Sequence, residues 1–163
     1  MAAQRIKHTG RVKDRHVLVA LDESETAEKA VLYVGDFLGG VPGFRVTLLT
    51  IVPEPSEDYF HTDEERAAWI ERHRTEAMNL LEKYRQILIQ SGFKKSKVQV
   101  RVDIKKSVSL ADCILDEQKA LDCCTVVVGR RGISKKEEFI FGSTSSKILH
   151  TGKNCAVWVI EGH

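Results

Sequence analysis

Hydrophobic and polar positions follow two patterns along the chain: short apolar runs, and longer stretches with helical spacing. The first apolar run, 16–21, is rich in β-branched and aliphatic residues, which is typical of a strand buried on both faces. Apolar residues then recur every three or four positions over 27–38, which predicts a helix ending at Gly39. A second apolar run, 45–52, stops at Pro53. Together these segments predict a βαβ unit.

The same alternation continues through the rest of the chain. A capping box at 62–65 predicts the start of a long helix that ends at Gly92. Apolar and polar residues alternate over 98–104, which predicts a half-exposed strand near an edge of the sheet. A helix over 107–121 and a buried strand over 125–128 follow. The last predicted elements are a short helix over 143–150 and a strand over 156–160.

Strands that alternate with helices predict one doubly wound α/β domain, with an open five-stranded parallel sheet and helices on both faces. This Rossmann-like or flavodoxin-like domain is expected over 15–163, after a basic flexible arm over 1–14. Such sheets bind ligands beyond the carboxyl ends of their strands, where the strand order reverses. We therefore expect the chemistry of the protein at the ends of the first, second and fourth strands.

Composition narrows the class of protein. The chain has 163 residues, of which 42% are hydrophobic and 29% charged, and this length suits a single domain. A net charge of +2 argues against nucleic acid or an anionic membrane as the main partner. No apolar run approaches the roughly 20 residues of a membrane-spanning helix. The four cysteines lack the spacing of a zinc site, so we expect reduced thiols and a cytoplasmic location.

A glycine-containing segment stands between the fourth strand and the helix that follows. Gly129, Gly132 and Gly142 can bring the backbone close to an anion, and Ser143 and Thr144 add hydroxyl groups at the helix start. The loop between them carries a net positive charge, which suits a polyphosphate. Alternatively, the glycines only form a turn and Ser143 only caps the helix. The chain contains no GxxxxGK[ST], GxGxxG or GxSxG motif.

Acidic residues at two other places admit two interpretations each. Asp22 directly follows the first strand, so it either caps the next helix or contacts a ligand, and its position favours ligand contact. Asp112, Asp116 and Glu117 could act as acid or base groups, but their helical context favours a solvated face.

The spacing Gly129-x2-Gly132-x9-Gly142-Ser143, together with the segment Val-Leu-Val-Ala-Leu-Asp-x-Ser-Glu at 17–25, resembles the nucleotide-binding branch of the universal stress protein family. The resemblance extends over roughly 15–161. It implies an α/β domain of the kind predicted above, with ATP as the bound cofactor and Mg²⁺ held with its phosphates. It also implies a homodimer through the last strand and a signalling partner that the sequence does not identify.

The resemblance also implies roles for individual residues. Asp22 should hold the adenosine end, Ile51 should pack on adenine, and Val128 and Gly129 should contact ribose or phosphate. The phosphates should lie against the remaining glycines and the hydroxyl groups after them. The full set of nucleotide-binding candidates is Ala20, Asp22, Ile51, Val128, Gly129, Arg130, Gly132, Gly142, Ser143 and Thr144. No catalytic residue and no protein-bound metal are expected.

Three functions remain open from the sequence. The favoured one is an ATP-binding regulatory or sensing module in a stress response. The second is a slow ATP hydrolase, or a nucleotidyl or phosphoryl transferase, that uses the same cleft. A flavin-binding electron carrier is disfavoured because its phosphate loop would follow the first strand, whereas the glycines here follow the fourth. Asn154-Cys155-Ala156 replaces the family's usual Cys-Pro-Val before the last strand, where relatives commonly dimerise.

Overall fold

The computed structural model describes residues 14–106, 109–130 and 143–161. The strands are β1 (Arg15–Ala20), β2 (Phe44–Glu54), β3 (Val98–Lys106), β4 (Thr125–Arg130) and β5 (Ala156–Glu161). The helices are α1 (Glu25–Leu38), α2 (Asp63–Gln90), α3 (Leu110–Ala120) and α4 (Ser143–Thr151). Single turns of 3₁₀ helix cover Glu57–Tyr59 and Lys95–Lys97. The arm predicted over 1–14 lies outside the described residues except for Asp14, which forms an ion pair with Lys97.

The strands form one five-stranded sheet in the order β3-β2-β1-β4-β5, and every neighbouring pair is parallel. This confirms the predicted doubly wound α/β fold, with β3 at an edge. The chain moves outward from β1 to β2 and β3, then crosses back to β4 on the other side of β1. The strand order therefore reverses between β1 and β4, and the carboxyl ends of these strands mark the switch point of the sheet.

Each face of the sheet carries its own apolar core. The α1/α2 face holds the larger cluster, in which Val34, Leu81 and Leu88 are fully buried. The α3/α4 face holds a smaller cluster around Leu18 and Ile148. Alternation along the strands places successive side chains on opposite faces. The central strands therefore need apolar residues at nearly every position, which explains their continuous apolar runs.

Two element boundaries differ from the prediction. β2 continues through Pro53 to Glu54, because β1 ends opposite Leu49 and leaves the last residues of β2 paired only with β3 within the described sheet. A proline is tolerated where no ladder hydrogen bond is needed on one edge. α3 begins at Leu110 and not near Ser107, since the Ser109 hydroxyl accepts a hydrogen bond from the Asp112 N–H at 3.4 Å and caps the helix there.

None of the helices among the described residues is both long enough and apolar enough to span a membrane.

Candidate functional site

A cleft of about 340 Å³ opens at the carboxyl ends of β1, β2 and β4, where the strand order reverses. Eight of the predicted nucleotide-binding residues line it: Ala20, Asp22, Ile51, Val128, Gly129, Arg130, Ser143 and Thr144. The other two, Gly132 and Gly142, lie outside the described residues. The fold thus brings together residues separated by more than 120 positions in the sequence, because parallel strands end at the same edge of a sheet.

One side of the cleft is apolar. Ile51, near the end of β2, lines this side together with Leu110 and Ile114 of α3. Leu110 and Ile114 are four residues apart and therefore share one face of the helix. Neither residue is among the binding candidates predicted from the sequence, although their spacing indicates a shared apolar face. Together these side chains form an apolar wall of the kind that suits a flat, weakly polar ring.

The opposite side of the cleft is polar and contains the start of a helix. α4 begins at Ser143, and Ser143, Thr144 and Ser145 all line the cleft. The first turn of a helix has backbone N–H groups without intrahelical partners and the positive end of the helix dipole. Arg130, the last residue of β4, adds a guanidinium group whose Nη1 lies 3.1 Å from Glu161 Oε1. This side can therefore bind an anion.

Asp22 follows β1 by two residues, between these two sides, and the loop that carries it is fixed by hydrogen bonds. The Leu21 N–H donates to the Leu49 carbonyl at 2.8 Å, and the Thr50 hydroxyl donates to the Leu21 carbonyl at 3.1 Å. Asp22 Oδ1 accepts from the Ser24 N–H at 2.9 Å and from the Ser24 hydroxyl. Ser24, not Asp22, occupies the N-cap position of α1, so the structure does not use the Asp22 carboxylate as that cap.

Gly129 has a packing role that its place in the motif did not reveal. A Cβ atom at this position would lie 3.0 Å from Cβ and 3.3 Å from Cγ2 of Thr26. Thr26 is 4% exposed and has no room to retreat. Glycine at 129 therefore lets the end of β4 lie against the first turn of α1 and keeps the floor of the cleft narrow.

A charged cluster borders the apolar side of the cleft, and it corrects one prediction. Glu117, interpreted from the sequence as part of a solvated helical face, is only 9% exposed. It lies one turn after Ile114, and its Oε2 is 3.1 Å from Nε of Arg101. Burial raises the pKa of the Glu117 carboxyl, and the neighbouring Asp103 carboxylate raises it further. Asp103 pairs in register with Ile51, so the cluster is continuous with the cleft wall.

Within 14–106, 109–130 and 143–161, no three His, Cys, Asp or Glu side chains are grouped so that they could hold a metal ion.

The sheet order and the cleft at its switch point define a doubly wound α/β protein, a class in which ligands generally bind at this edge of the sheet. The model of the universal stress protein family matches residues 14–161, and the chain belongs to that family. This confirms the resemblance found in the sequence. No curated protein sequence matches the chain significantly.

Solved structures share the fold. Hypothetical protein MJ0577, the subject of a structure-based assignment of biochemical function, superposes with a TM-score of 0.71 at 21% identity, over 91% of this chain and 96% of that chain. The universal stress protein of Archaeoglobus fulgidus in complex with dAMP gives a TM-score of 0.62 at 20% identity, over 90% and 97% of the two chains. A universal stress protein in complex with cAMP gives 0.63 at 13% identity, over 91% and 98%. At these identities the similarity establishes the fold.

Proposed function

We propose that this universal stress protein binds ATP in the cleft and acts as a cytoplasmic regulatory or sensing module whose surface depends on the bound nucleotide. One observation carries the proposal. A single cleft at the switch point combines an apolar wall on the β2 and α3 side with a helix N-terminus and Arg130 on the β4 and α4 side. An adenine nucleotide has the matching polarity, with an aromatic ring at one end and phosphates at the other.

The strand order suggests how the nucleotide lies. Adenine packs between Ile51 and Ile114, and the phosphates lie against the first turn of α4. β1 stands between β2 and β4, so Asp22 faces the middle of the ligand and accepts hydrogen bonds from the sugar or from the ring amino group. The predicted phosphate contacts of Gly132 and Gly142 belong to the same proposal.

Relatives with the same fold support an adenine nucleotide, since the solved structures include complexes with dAMP and with cAMP. We extend this to ATP because the α4 end of the cleft offers two hydroxyl groups and a guanidinium for additional phosphates. Mg²⁺ would be held mainly by those phosphates, as is usual for a nucleotide-bound magnesium ion.

The test is thermal unfolding of nucleotide-free protein with Mg-ATP, with GTP and FMN as comparison ligands. ATP at about 100 times its dissociation constant should add roughly 2.7 kcal/mol to the free energy of unfolding. The double variant Ser143→Ala, Thr144→Ala should lose most of this stabilisation, because it removes the two hydroxyl groups that are not buried from the phosphate side and leaves only that of buried Ser145.

A matched control is Ser146→Ala, on the same helix but outside the cleft lining, which should bind ATP normally. If ATP, GTP and FMN all leave the unfolding temperature unchanged, the cleft does not bind a nucleotide. Release of phosphate from ATP in the same samples would instead favour the alternative function, slow hydrolysis or phosphoryl transfer.

We further propose that the protein forms a homodimer through β5, an edge strand of the described sheet. Tyr33 and Phe37 of α1 stack at 5.9 Å, and both rings contact Trp158 of β5 edge-on. Phe37 is 59% exposed, so this aromatic patch beside the edge strand is available to a second copy. Sedimentation velocity should show a dimer that Phe37→Glu dissociates, while Tyr59→Glu, an exposed aromatic elsewhere, leaves it intact.

A further inference from the structure

A second cavity, of about 240 Å³, lies at the amino ends of the strands, opposite the nucleotide cleft. Its lining residues are Asp14, His16, Arg45, Val46, Ser96, Lys97 and Gln99. His16 of β1 lines this cavity and Ala20 lines the nucleotide cleft, so at roughly 3.3 Å per residue about 13 Å of strand lies between them. The second cavity is therefore a separate place in the fold.

Arg45 is the unusual residue in this cavity. It alternates along β2 with Thr47 and Leu49 and so faces the α3/α4 side of the sheet. Its Nε is buried and has no hydrogen-bond partner. Within the described chain no carboxylate lies within ion-pair distance of its guanidinium. Arg45 as a whole is only partly buried, but a buried donor nitrogen without a hydrogen-bond partner is costly, which indicates that an acceptor is missing.

No acidic group among the described residues forms an ion pair with Arg45. The Asp14 carboxylate pairs with Lys97. Cys123 lies close enough to feel the charge of Arg45, but burial raises the pKa of its thiol to about 12, so the sulfur is uncharged at neutral pH. Residues 1–13, which precede the cavity in the sequence, contain no Asp or Glu.

The remaining lining residues include a histidine fixed by hydrogen bonds and side chains that can donate hydrogen bonds. His16 is 4% exposed, and its Nδ1 lies 3.2 Å from the Leu121 carbonyl oxygen. A carbonyl can only accept, so Nδ1 carries a proton, and Nε2 forms a hydrogen bond with the Thr47 hydroxyl at 2.7 Å. His16 is thus held in place by both ring nitrogens. The Ser96 hydroxyl and the Gln99 amide add hydrogen-bond donors to the same cavity.

We propose that this cavity binds a small phosphate-type oxyanion, either inorganic phosphate or the phosphate group of a small monoester, with Arg45 as its main partner. A planar guanidinium donates two parallel hydrogen bonds to two oxygens of such an anion. Binding satisfies the buried donor of Arg45 and neutralises its charge. This inference is independent of ATP binding, because none of the lining residues belongs to the nucleotide cleft.

The test is a titration of ¹⁵N-labelled full-length protein with inorganic phosphate and, in parallel, with glycerol phosphate, followed by NMR at constant ionic strength with chloride as the balancing anion. We expect saturable shifts of the Arg45 Nε–Hε signal and of the backbone amides of Ser96–Gln99. Arg45→Gln should weaken the binding at these amides at least tenfold. Arg72→Gln, at an exposed position of α2, is the matched control and should bind normally.

The site is supported if inorganic phosphate or glycerol phosphate shifts the amide signals of Ser96–Gln99 in the native protein but not in Arg45→Gln. Comparison of the two titrations shows whether the site accepts free phosphate, a phosphate monoester or both. Shifts confined to Gly129 and Ser143, shifts unchanged in Arg45→Gln, or shifts that chloride reproduces would overturn it. If Arg45→Gln fails to fold, Arg45→Lys takes its place. Lysine retains the positive charge but lacks the planar guanidinium group that donates two parallel hydrogen bonds. The substitution should weaken phosphate binding without unfolding the protein, and unaltered affinity in that variant would also contradict the proposal.

Discussion

The two faces of the sheet differ in how tightly their helices cover the strands. On the α1/α2 face, helices of 14 and 28 residues bury the larger core. On the α3/α4 face, helices of 11 and 9 residues cover the middle of the sheet and leave space at both strand ends. The nucleotide cleft and the Arg45 cavity both draw mainly on this second face. The difference indicates that one face supplies most of the stability, while the other contains the two cavities at which we propose binding.

The contacts between paired helices show the same contrast. α1 and α2 approach closely where glycines meet Ser91: a Cβ on Gly39 would lie 2.1 Å from the Ser91 carbonyl oxygen, and a Cβ on Gly35 2.5 Å from its hydroxyl. α3 and α4 share the smaller core, in which Ile148 lies with Leu115, and at the surface an exposed ion pair joins them, with Lys147 Nζ 2.6 Å from Asp112 Oδ2. Close packing of the first kind is rigid, whereas an exposed ion pair costs little to open.

The largest effect should come from the α1/α2 core. Leu81→Ala removes a fully buried side chain and should lower the free energy of unfolding by about 2–5 kcal/mol, as measured by denaturant titration. Affinity for ATP, measured by calorimetry on the folded variant, should stay within twofold of the native value. A large loss of affinity would show that the two faces are not separate in function.

Gly129→Ala should affect both properties, since this residue lies where the cleft meets α1. The added methyl group would contact Thr26 at 3.0 Å, so we expect a loss of about 1–3 kcal/mol in stability. The displaced end of β4 should also weaken ATP binding. Thermal unfolding with and without ATP separates the two effects, and an unchanged stability would refute the packing role assigned to Gly129.

The charged cluster beside the cleft should make the α3/α4 face sensitive to pH. The pKa of Glu117 is raised above its ordinary value of 4.5 by burial and by Asp103, while Arg101 and Lys105 oppose the shift. A carboxyl with a raised pKa stabilises the fold when protonated, and that contribution is lost as the pH rises from about 4.5 through the higher pKa of the folded state.

Glu117→Gln cannot ionise and should therefore flatten the decline in stability over that pH range, as followed by denaturant titration at successive pH values. Asp116→Asn, on the exposed side of the same helix, is the control. In this variant the free energy of unfolding should decline with pH as it does in the native protein. If the free energy of unfolding declines equally with pH in the native protein and in Glu117→Gln, the raised pKa of Glu117 is contradicted.

The smallest effect is expected at the ion pair between α3 and α4. Lys147→Gln breaks an exposed contact, so the unfolding temperature should fall only slightly, and the difference should vanish in concentrated salt. A decrease comparable to that of Leu81→Ala would mean that α3 and α4 depend on this pair far more than the comparison of the faces indicates.

The sequence by itself determined the order and type of the elements, because hydrophobic periodicity reports burial within each segment. Eight of the candidate residues that it indicates line one cleft in the structure, since the ends of parallel strands share an edge of the sheet. Whether those residues bind a nucleotide is for the experiments above to decide.

Only the tertiary structure decided which segments become neighbours. The burial of Glu117 against Arg101, the wall that Leu110 and Ile114 complete, and the unpartnered Nε of Arg45 all depend on strand order and helix length. Periodicity shows which side of a helix or strand is apolar, but it contains no information about what lies opposite. Contacts across the sheet join residues far apart in sequence, so their polarity becomes interpretable only after the chain has folded.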